Sequence, residues 1–145
     1  MLQASEQLPL LLQTSDFDGL QSLLQRLLAS IPHDWHRNNP IGNYEGYYAS
    51  VVYSFLKATG LDLRVEDCTS QGRIDLTIRY AGQLFLLEFK LAENSCPGAA
   101  LAQLKQKDYA AKYRQPGTPI WLIGITFSRE SRSIVGFDVE ADWPG

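Results

Sequence analysis

The stretch Leu84–Leu91, LFLLEFKL, carries two charged residues, Glu88 and Lys90, inside a run that otherwise has the composition of a buried strand. Moving a carboxylate or an ammonium group out of water is costly unless a partner compensates the lost hydration. Side chains alternate across a strand, so Glu88 and Lys90 project from one face and the apolar residues between them from the other. The stretch therefore predicts a buried strand with a charged site on one face.

The segment before this strand supplies a candidate partner. Arg73–Tyr80, which contains RIDLTI, has strand-like composition, and the intervening Ala81-Gly82 predicts a tight hairpin turn. A two-residue turn, like a four-residue one, puts Asp75 directly opposite Glu88, whereas a three-residue turn would break that register. Two carboxylates that face each other across neighbouring strands repel unless a proton or a cation lies between them.

A divalent cation would resolve this repulsion. Oxygen ligands without nearby cysteine or histidine suit magnesium or manganese better than zinc, and magnesium often takes its remaining ligands from water and phosphate. Lys90 would then lie beside the water and the phosphate. The alternative is an ordinary strand-edge ion pair between Glu88 and Lys90, with Asp75 as a surface residue near a turn. The apolar residues around Glu88 and the predicted register favour the charged site.

Spacing and turn residues predict the order helix, helix, three strands, helix, two strands. The helices are predicted at Phe17–Ile31, with a capping-box-like start at Ser15 and Asp18, at Tyr44–Thr59, with Asn43 as N-cap, and at Ala99–Tyr113. The strands are predicted at Leu61–Glu66, Arg73–Tyr80, Gln83–Leu91 and in the segments IWLIGITF and SIVGFDVE. We expect an α/β fold, a central mixed β-sheet flanked by α-helices, with residues 1–14 as a lead-in segment and 15–145 as a single domain.

The net charge of −3 argues against a protein that coats nucleic acid nonspecifically, because such binding needs many cationic contacts to phosphate. The segment Gln103–Arg114, QLKQKDYAAKYR, is locally basic and could contact phosphates or form an ordinary solvated face. Cys68 and Cys96 are expected to be reduced thiols, and His33 and His36 to lie in a surface turn. The absence of a long apolar stretch predicts no membrane span and a cytoplasmic location.

The order of Glu45, Asp75 in GRIDLTI, and Glu88-Phe89-Lys90 resembles the PD-(D/E)XK nuclease superfamily, which has a restriction-endonuclease-like core. More closely, EGYYASVVYSFL, LLEFKL, ALAQLKQKDYAAKY and IWLIGITFS resemble the nuclease-like C-terminal domain of bacterial proteins that begin with an AAA-type ATPase-like region. The resemblance runs from about Phe17 to Glu140.

The resemblance implies a magnesium or manganese ion held by Asp75, Glu88, the backbone carbonyl of Phe89 and the additional acid Glu45. Lys90 would orient or activate the attacking water during phosphodiester hydrolysis. The substrate implied is nucleic acid, with DNA ahead of RNA. An ATPase-like domain absent from this chain is an implied partner.

The helix after the site carries the predicted nucleic-acid contacts. Gln103 resembles a position that often reaches back to the site, and helical spacing would put Lys107 and Arg114 on its stripe. A common pattern in these nucleases is Gln-x-x-x-Tyr, but Lys107 stands where that tyrosine would be and Tyr109 follows two residues later. Tyr109 is therefore predicted as a supporting residue only.

Two other functions are compatible with the same sequence. The domain could be a noncatalytic interaction module that serves an ATPase-like partner, since a shared fold does not guarantee chemistry. It could also bind nucleic acid through the basic segment without turnover, which would give salt-sensitive binding and no metal-dependent product.

Overall fold

A five-stranded mixed sheet forms the centre of the computed structural model, which describes residues 4–30 and 45–142, with backbone alone for residues 4, 5 and 45–47. Its elements, in chain order, are α1 (Ala4–Gln13), α2 (Phe17–Ala29), α3 (Glu45–Ala58), β1 (Asp62–Thr69), β2 (Gly72–Tyr80), β3 (Gln83–Leu91), a 3-10 turn (Ala92–Asn94), α4 (Ala99–Gln106), a second 3-10 turn (Tyr109–Lys112), β4 (Ile120–Ser128) and β5 (Ser133–Ala141).

The strands follow one another in the order β1-β2-β3-β4-β5. All neighbours are antiparallel except β3 and β4, which are parallel and are connected by a crossover through α4. Parallel neighbours require such a crossover, whereas the antiparallel pairs are joined by short turns. The predicted α/β architecture with a mixed sheet is confirmed.

Successive side chains of β3 point to opposite faces of the sheet and pack into two separate apolar cores. Phe85 and Leu87 pack on the face covered by α1, α2 and α3, whereas Leu84 and Leu86 pack on the face covered by α4. Phe89 continues the first face, so Glu88 projects from the opposite face, as predicted, and there it faces α4. The sheet therefore places the charged site in the layer between β3 and α4.

The start of the chain differs from the expected lead-in. Residues 4–13 form α1, and Leu8 and Leu12 are fully buried in the same core as the sheet. The segment is apolar at the spacing that packs one face of a helix, even though Pro9 interrupts it. It is thus part of the packed structure, and the proposed domain boundary stays a prediction.

Helix α2 starts at Phe17 as predicted, but its cap differs. The Asp16 carboxylate accepts a hydrogen bond of 2.9 Å from the Gly19 amide, so Asp16 is the N-cap where Ser15 was expected. On α3, Tyr48, Val52 and Leu56 are buried, which confirms that this helix packs against the sheet. His33, His36 and Asn43, for which a surface turn and an N-cap were predicted, lie outside the described residues.

Both cysteines, Cys68 and Cys96, are free and exposed. Among the helices of the described ranges, none has the length and apolar character needed to cross a membrane.

Candidate functional site

Asp75 lies at a break in the regular sheet. The β2–β3 hairpin has the predicted register, from Tyr80 opposite Gln83 to Leu76 opposite Leu87, and regular pairing ends there, one residue before Asp75 and Glu88. On its other side, β2 pairs with β1 at Leu76 and at Ile74, but the regular pairing does not include Asp75. The Asp75 carboxylate instead accepts a hydrogen bond of 2.9 Å from the Phe89 amide. A side chain thus replaces a backbone acceptor and turns the Asp75 carboxylate toward β3.

The same break interrupts the alternation of β2. Ile74 packs in the α4-side core, whereas Leu76, two residues later, packs in the core on the opposite face. Opposite Asp75 on β1, Glu66 has a positive φ of 49°, which is unusual for a residue other than glycine. Irregularities of this kind are common next to functional sites because they redirect a side chain.

Glu88 is a buried carboxylate, and one of its two oxygens lacks a partner within the described ranges. Its side chain is 3% exposed, and Oε2 accepts a hydrogen bond of 2.8 Å from the Gln103 amide nitrogen. Oε1 is buried and has no hydrogen-bond partner among the described residues. A buried acceptor without a partner loses its hydration with nothing in return, so such an atom calls for an explanation.

Electrostatics in the site disfavour two negative charges. Burial raises the pKa of Asp75, and burial followed by the charge of Asp75 raises the pKa of Glu88. The positive charge of Lys90 acts in the opposite direction on both groups. Lys90 is half-buried, and its ammonium group forms no hydrogen bond or ion pair with any residue in the described ranges. The Lys90 ammonium group therefore remains available to bind a ligand.

These donors fit a magnesium or manganese ion. Asp75 and Glu88 offer hard carboxylate oxygens. A cation would satisfy Oε1 of Glu88, which has no partner among the described residues, and would offset the burial that raises both pKa values and the charge of Asp75 that further raises the pKa of Glu88. No cluster of three or more acidic, histidine or cysteine ligands occurs within the described residues. Two carboxylates suffice for magnesium, which usually keeps several waters and takes further ligands from a substrate phosphate.

Residues 43–137 match the PD-(D/E)XK nuclease superfamily. This match covers more than half of the chain and includes every residue placed at the site above. The chain belongs to the PD-(D/E)XK nuclease superfamily. The restriction-endonuclease-like α/β fold that the resemblance implied is confirmed with it.

A curated relative is much longer than this nuclease-superfamily chain. The chain is 60% identical over 131 residues to a protein of Azotobacter chroococcum mcd 1 described as an uncharacterized protein in the vnfD 5′ region. The alignment covers 90% of this chain and 25% of the relative. The chain thus spans about a quarter of the length of the curated relative that it matches.

The helix that covers the superfamily site is shorter than predicted. Helix α4 ends at Gln106, not at Tyr113, because Asp108 adopts a left-handed conformation with φ of 48°. The chain then folds back, and the Tyr109 hydroxyl lies 3.4 Å from the Gln103 amide nitrogen. Tyr109, with its side chain buried, thus supports the residue that binds Glu88, despite its unusual spacing.

The predicted cationic stripe is not formed. The helix break separates Lys107 from Arg114, and the Arg114 guanidinium binds Asp108 and Asp142, the latter at 2.8 Å. Lys107 is exposed and forms no ion pair with the described residues. Arg114 is thus paired within the described residues, and the phosphate contacts predicted for Arg114 and Lys107 stay predictions.

Glu45, the predicted additional acid, begins α3, but its side chain lies outside the described residues. Two polar residues on the site's face of the sheet, Thr126 and Asp138, were not predicted from the sequence. Both occur in segments that were predicted only as strands. Their spacing of two residues from Gly124 and Gly136 puts them on the face of those glycines, but that this face belongs to the site shows only when the strands are aligned.

Proposed function

We propose that this domain is a metal-dependent nuclease that hydrolyses phosphodiester bonds in nucleic acid, with DNA ahead of RNA as substrate. The observation that carries the proposal is the buried Oε1 of Glu88, which has no hydrogen-bond partner among the described residues and lies in a site shared with the Asp75 carboxylate and the Lys90 ammonium group. Burying a carboxylate oxygen without a partner destabilises the fold, and binding of a metal ion at this oxygen would offset that cost.

Asp75 and Glu88 would hold the magnesium or manganese ion, with the Phe89 carbonyl and Glu45 as further ligands. When bound, such an ion lowers the pKa of water and neutralises charge on the scissile phosphate. Gln103 fixes one oxygen of Glu88 at 2.8 Å, which leaves the other oxygen for the ion. Tyr109 in turn restrains Gln103, so the ligand geometry is set before substrate arrives.

Lys90 would orient the attacking water and neutralise charge that develops on the phosphate. Its lack of a protein partner among the described residues supports this role, because a lysine already paired would have to break that pair first. Lys107, exposed at the end of α4, would contact a phosphate farther along the strand. An ATPase-like region in a longer chain is the proposed partner, and the greater length of the Azotobacter protein leaves room for one.

The direct experiment measures cleavage of end-labelled single-stranded and duplex DNA, and of an RNA of the same sequence, with magnesium, manganese or chelator. Asp75→Asn and Lys90→Met should each lower the cleavage rate at least about a hundredfold, as expected for loss of a ligand or a group that positions water. Asp62→Asn and Lys57→Met are matched controls, because both residues are exposed and lie outside the site. These controls should cleave at the wild-type rate.

Metal binding gives an independent measurement. Calorimetry should detect manganese binding to the wild type and its loss in Asp75→Asn with folding intact. A wild type that neither cleaves nor binds manganese would exclude the nuclease and leave the noncatalytic interaction module as the better reading.

A further inference from the structure

A pocket of about 580 Å³ opens beside the site on the same face of the sheet. Its floor is formed by Thr126 on β4 and Gly136 on β5, and one wall by Leu101 and Ala102 on α4. The volume lies within the range of sites that take small organic groups. Nothing in the proposed hydrolysis uses this space.

The residues at the floor of the pocket lie directly across the sheet from the catalytic candidates Glu88 and Lys90, in two rows of paired residues that run from β3 through β4 to β5. Glu88 pairs with Gly124, which pairs with Asp138, and Lys90 pairs with Thr126, which pairs with Gly136. Neighbouring strands are about 4.8 Å apart, so Asp138 lies about 10 Å across the sheet from Glu88. One nucleotide of a bound strand would span that distance.

Two polar groups in the pocket have no hydrogen-bond partner among the residues that the structure describes. Thr126 is 6% exposed, yet its hydroxyl forms no hydrogen bond with any residue of the described ranges. The carboxylate of Asp138, also in the lining, has neither a hydrogen bond nor an ion pair there. Asp138 is half-buried, and both groups line an open pocket, so this hydroxyl and carboxylate are available to hydrogen-bond a ligand there.

The walls of the pocket are held in place without a ligand. In the loop that borders it, the Ser95 hydroxyl donates to the Leu91 carbonyl at 2.6 Å, and Glu93 accepts hydrogen bonds from the amides of Arg129 and Glu130 at 3.0 and 3.2 Å. On the opposite side, Val135 is 55% exposed at the rim. A preformed pocket loses little entropy when it binds a ligand.

Resting on the proposed nuclease function, we propose that this pocket binds an unpaired nucleobase next to the scissile phosphate, so that the substrate is single-stranded or locally unpaired nucleic acid. Apolar walls from Leu101 and Val135 match the faces of a base, and Asp138 and Thr126 match its polar edge. Lys105 also lines the pocket, but its ammonium group pairs with Glu140 at 3.0 Å. The Asp138 carboxylate, which has no such pair among the described residues, would therefore repel a phosphate inside, and the phosphate remains outside near Lys90.

The pocket also predicts which bases bind best. A carboxylate only accepts hydrogen bonds, so Asp138 favours bases with an exocyclic amino group, which are adenine, cytosine and guanine, over thymine. A base in a duplex must first be unstacked and unpaired, at a cost of about a few kcal/mol. Single strands should therefore be cleaved at least about tenfold faster than duplexes of the same sequence.

The test uses a series of labelled single-stranded DNA oligonucleotides in which one abasic site is moved along the chain. Cleavage by the wild type should fall about tenfold or more at the one phosphate whose neighbouring base is missing. Ala102→Phe fills the pocket and should lose this position dependence together with kcat/KM, whereas Ala58→Phe, an exposed alanine on α3, should behave as the wild type. Thr126→Val and Asp138→Asn change the polar groups of the pocket with little change in its shape. Asp138→Asn should reduce the preference for bases with an exocyclic amino group over thymine.

Binding separates failure of this inference from failure of the nuclease. Fluorescence anisotropy of a labelled oligonucleotide should show weaker binding by Ala102→Phe than by Ala58→Phe, whether or not the wild type cleaves. Cleavage that ignores the abasic site and is equal in Ala102→Phe would overturn the base pocket and leave the nuclease standing. If the wild type does not cleave, equal anisotropy for the two variants would overturn the pocket, and weaker binding by Ala102→Phe would support it.

Discussion

Glu88 is the side chain at which stability and proposed chemistry conflict. Its carboxylate is buried beside Asp75, and only one of its two oxygens has a hydrogen-bond partner within the described chain. A charge in such a place destabilises the fold unless a cation binds. Proteins tolerate such conflicts at functional sites and offset them elsewhere in the structure.

Replacing Glu88 with glutamine should therefore stabilise the protein and, at the same time, abolish the proposed metal-dependent cleavage. Because burial and the charge of Asp75 raise the pKa of Glu88 to about 8, folding at neutral pH must either protonate this carboxylate or bury its charge. Glu88→Gln removes that cost and lets the new amide donate toward Asp75, so in chelator we expect the free energy of unfolding to rise by about 1–2 kcal/mol. Urea denaturation with and without manganese measures this difference. The gain should disappear when manganese stabilises the wild type, and an unstable variant in chelator would contradict this account.

Asp67 is a second buried carboxylate, and it is fully satisfied. Lys112 donates to it at 2.5 Å and Thr77 at 2.9 Å, and the Tyr113 hydroxyl donates as well. Burial by itself would raise the pKa of Asp67, but these hydrogen bonds outweigh burial and hold the pKa below its ordinary value. Asp67 and Glu88 are both buried, but Asp67 has hydrogen-bond donors on both oxygens and Glu88 on only one within the described residues. We therefore assign Asp67 a structural role.

The lowered pKa of Asp67 predicts acid sensitivity. Its stabilising contribution is complete above the ordinary aspartate pKa, near 4, and is lost as the pH falls through the lower folded-state pKa. Asp67→Asn should cost about 1–3 kcal/mol at pH 7 and progressively less toward pH 2. Denaturation at several pH values measures this, with the exposed Asp62→Asn on the same strand as control. A cost that is independent of pH would rule out this linkage.

Helix α4 is positioned by its close approach to β4. A Cβ atom on Gly124 would lie 2.4 Å from the Leu101 backbone nitrogen, so only glycine allows the helix to pack at this distance. Gly124 is directly opposite Glu88 in the sheet. This contact sets how far Gln103 reaches toward Glu88 and how wide the neighbouring pocket is.

Gly124→Ala should push α4 away from the sheet. We expect a loss of about 1–3 kcal/mol in the free energy of unfolding, because the clash is with rigid backbone, and weaker manganese binding as the Gln103–Glu88 hydrogen bond lengthens. Gly136→Ala is the matched control, since its Cβ would meet only the Thr126 side chain, at 3.1 Å. Urea denaturation and calorimetry measure the two effects, and equal stability losses in the two variants would argue against the backbone clash.

Across the entire domain, the first helix is part of the main core. Leu12 is 1% exposed and packs in the cluster that contains Leu87 and Phe89 behind the site, whereas Leu10 on the same helix is 51% exposed. Truncation of a buried leucine removes its contacts and leaves a cavity, so Leu12→Ala should cost about 2–5 kcal/mol. Leu10→Ala should cost less than about 0.5 kcal/mol. Similar small losses for both variants in urea denaturation would contradict the packing of this helix in the main core.

Local patterns in the sequence determined most of the architecture. The alternation in β3, the Ala81-Gly82 turn and the hairpin register follow from period-two spacing and turn chemistry, which are properties of neighbouring residues. The positions of Asp75, Glu88 and Lys90 on one site could therefore be anticipated. The apolar spacing of α2 and α3 likewise predicted helices that pack against the sheet.

Other features depend on contacts between residues distant in sequence. The end of α4 at Gln106, the return of Tyr109 to Gln103 and the pairing of Arg114 with Asp142 arise because the chain must pack around Gly124 and bury Tyr109, which no local pattern encodes. The pocket requires Thr126 and Asp138 to lie in the same rows as Lys90 and Glu88, and that alignment exists only when three strands pair. Periodicity specifies which face a side chain occupies, whereas the choice of neighbours is made by tertiary packing.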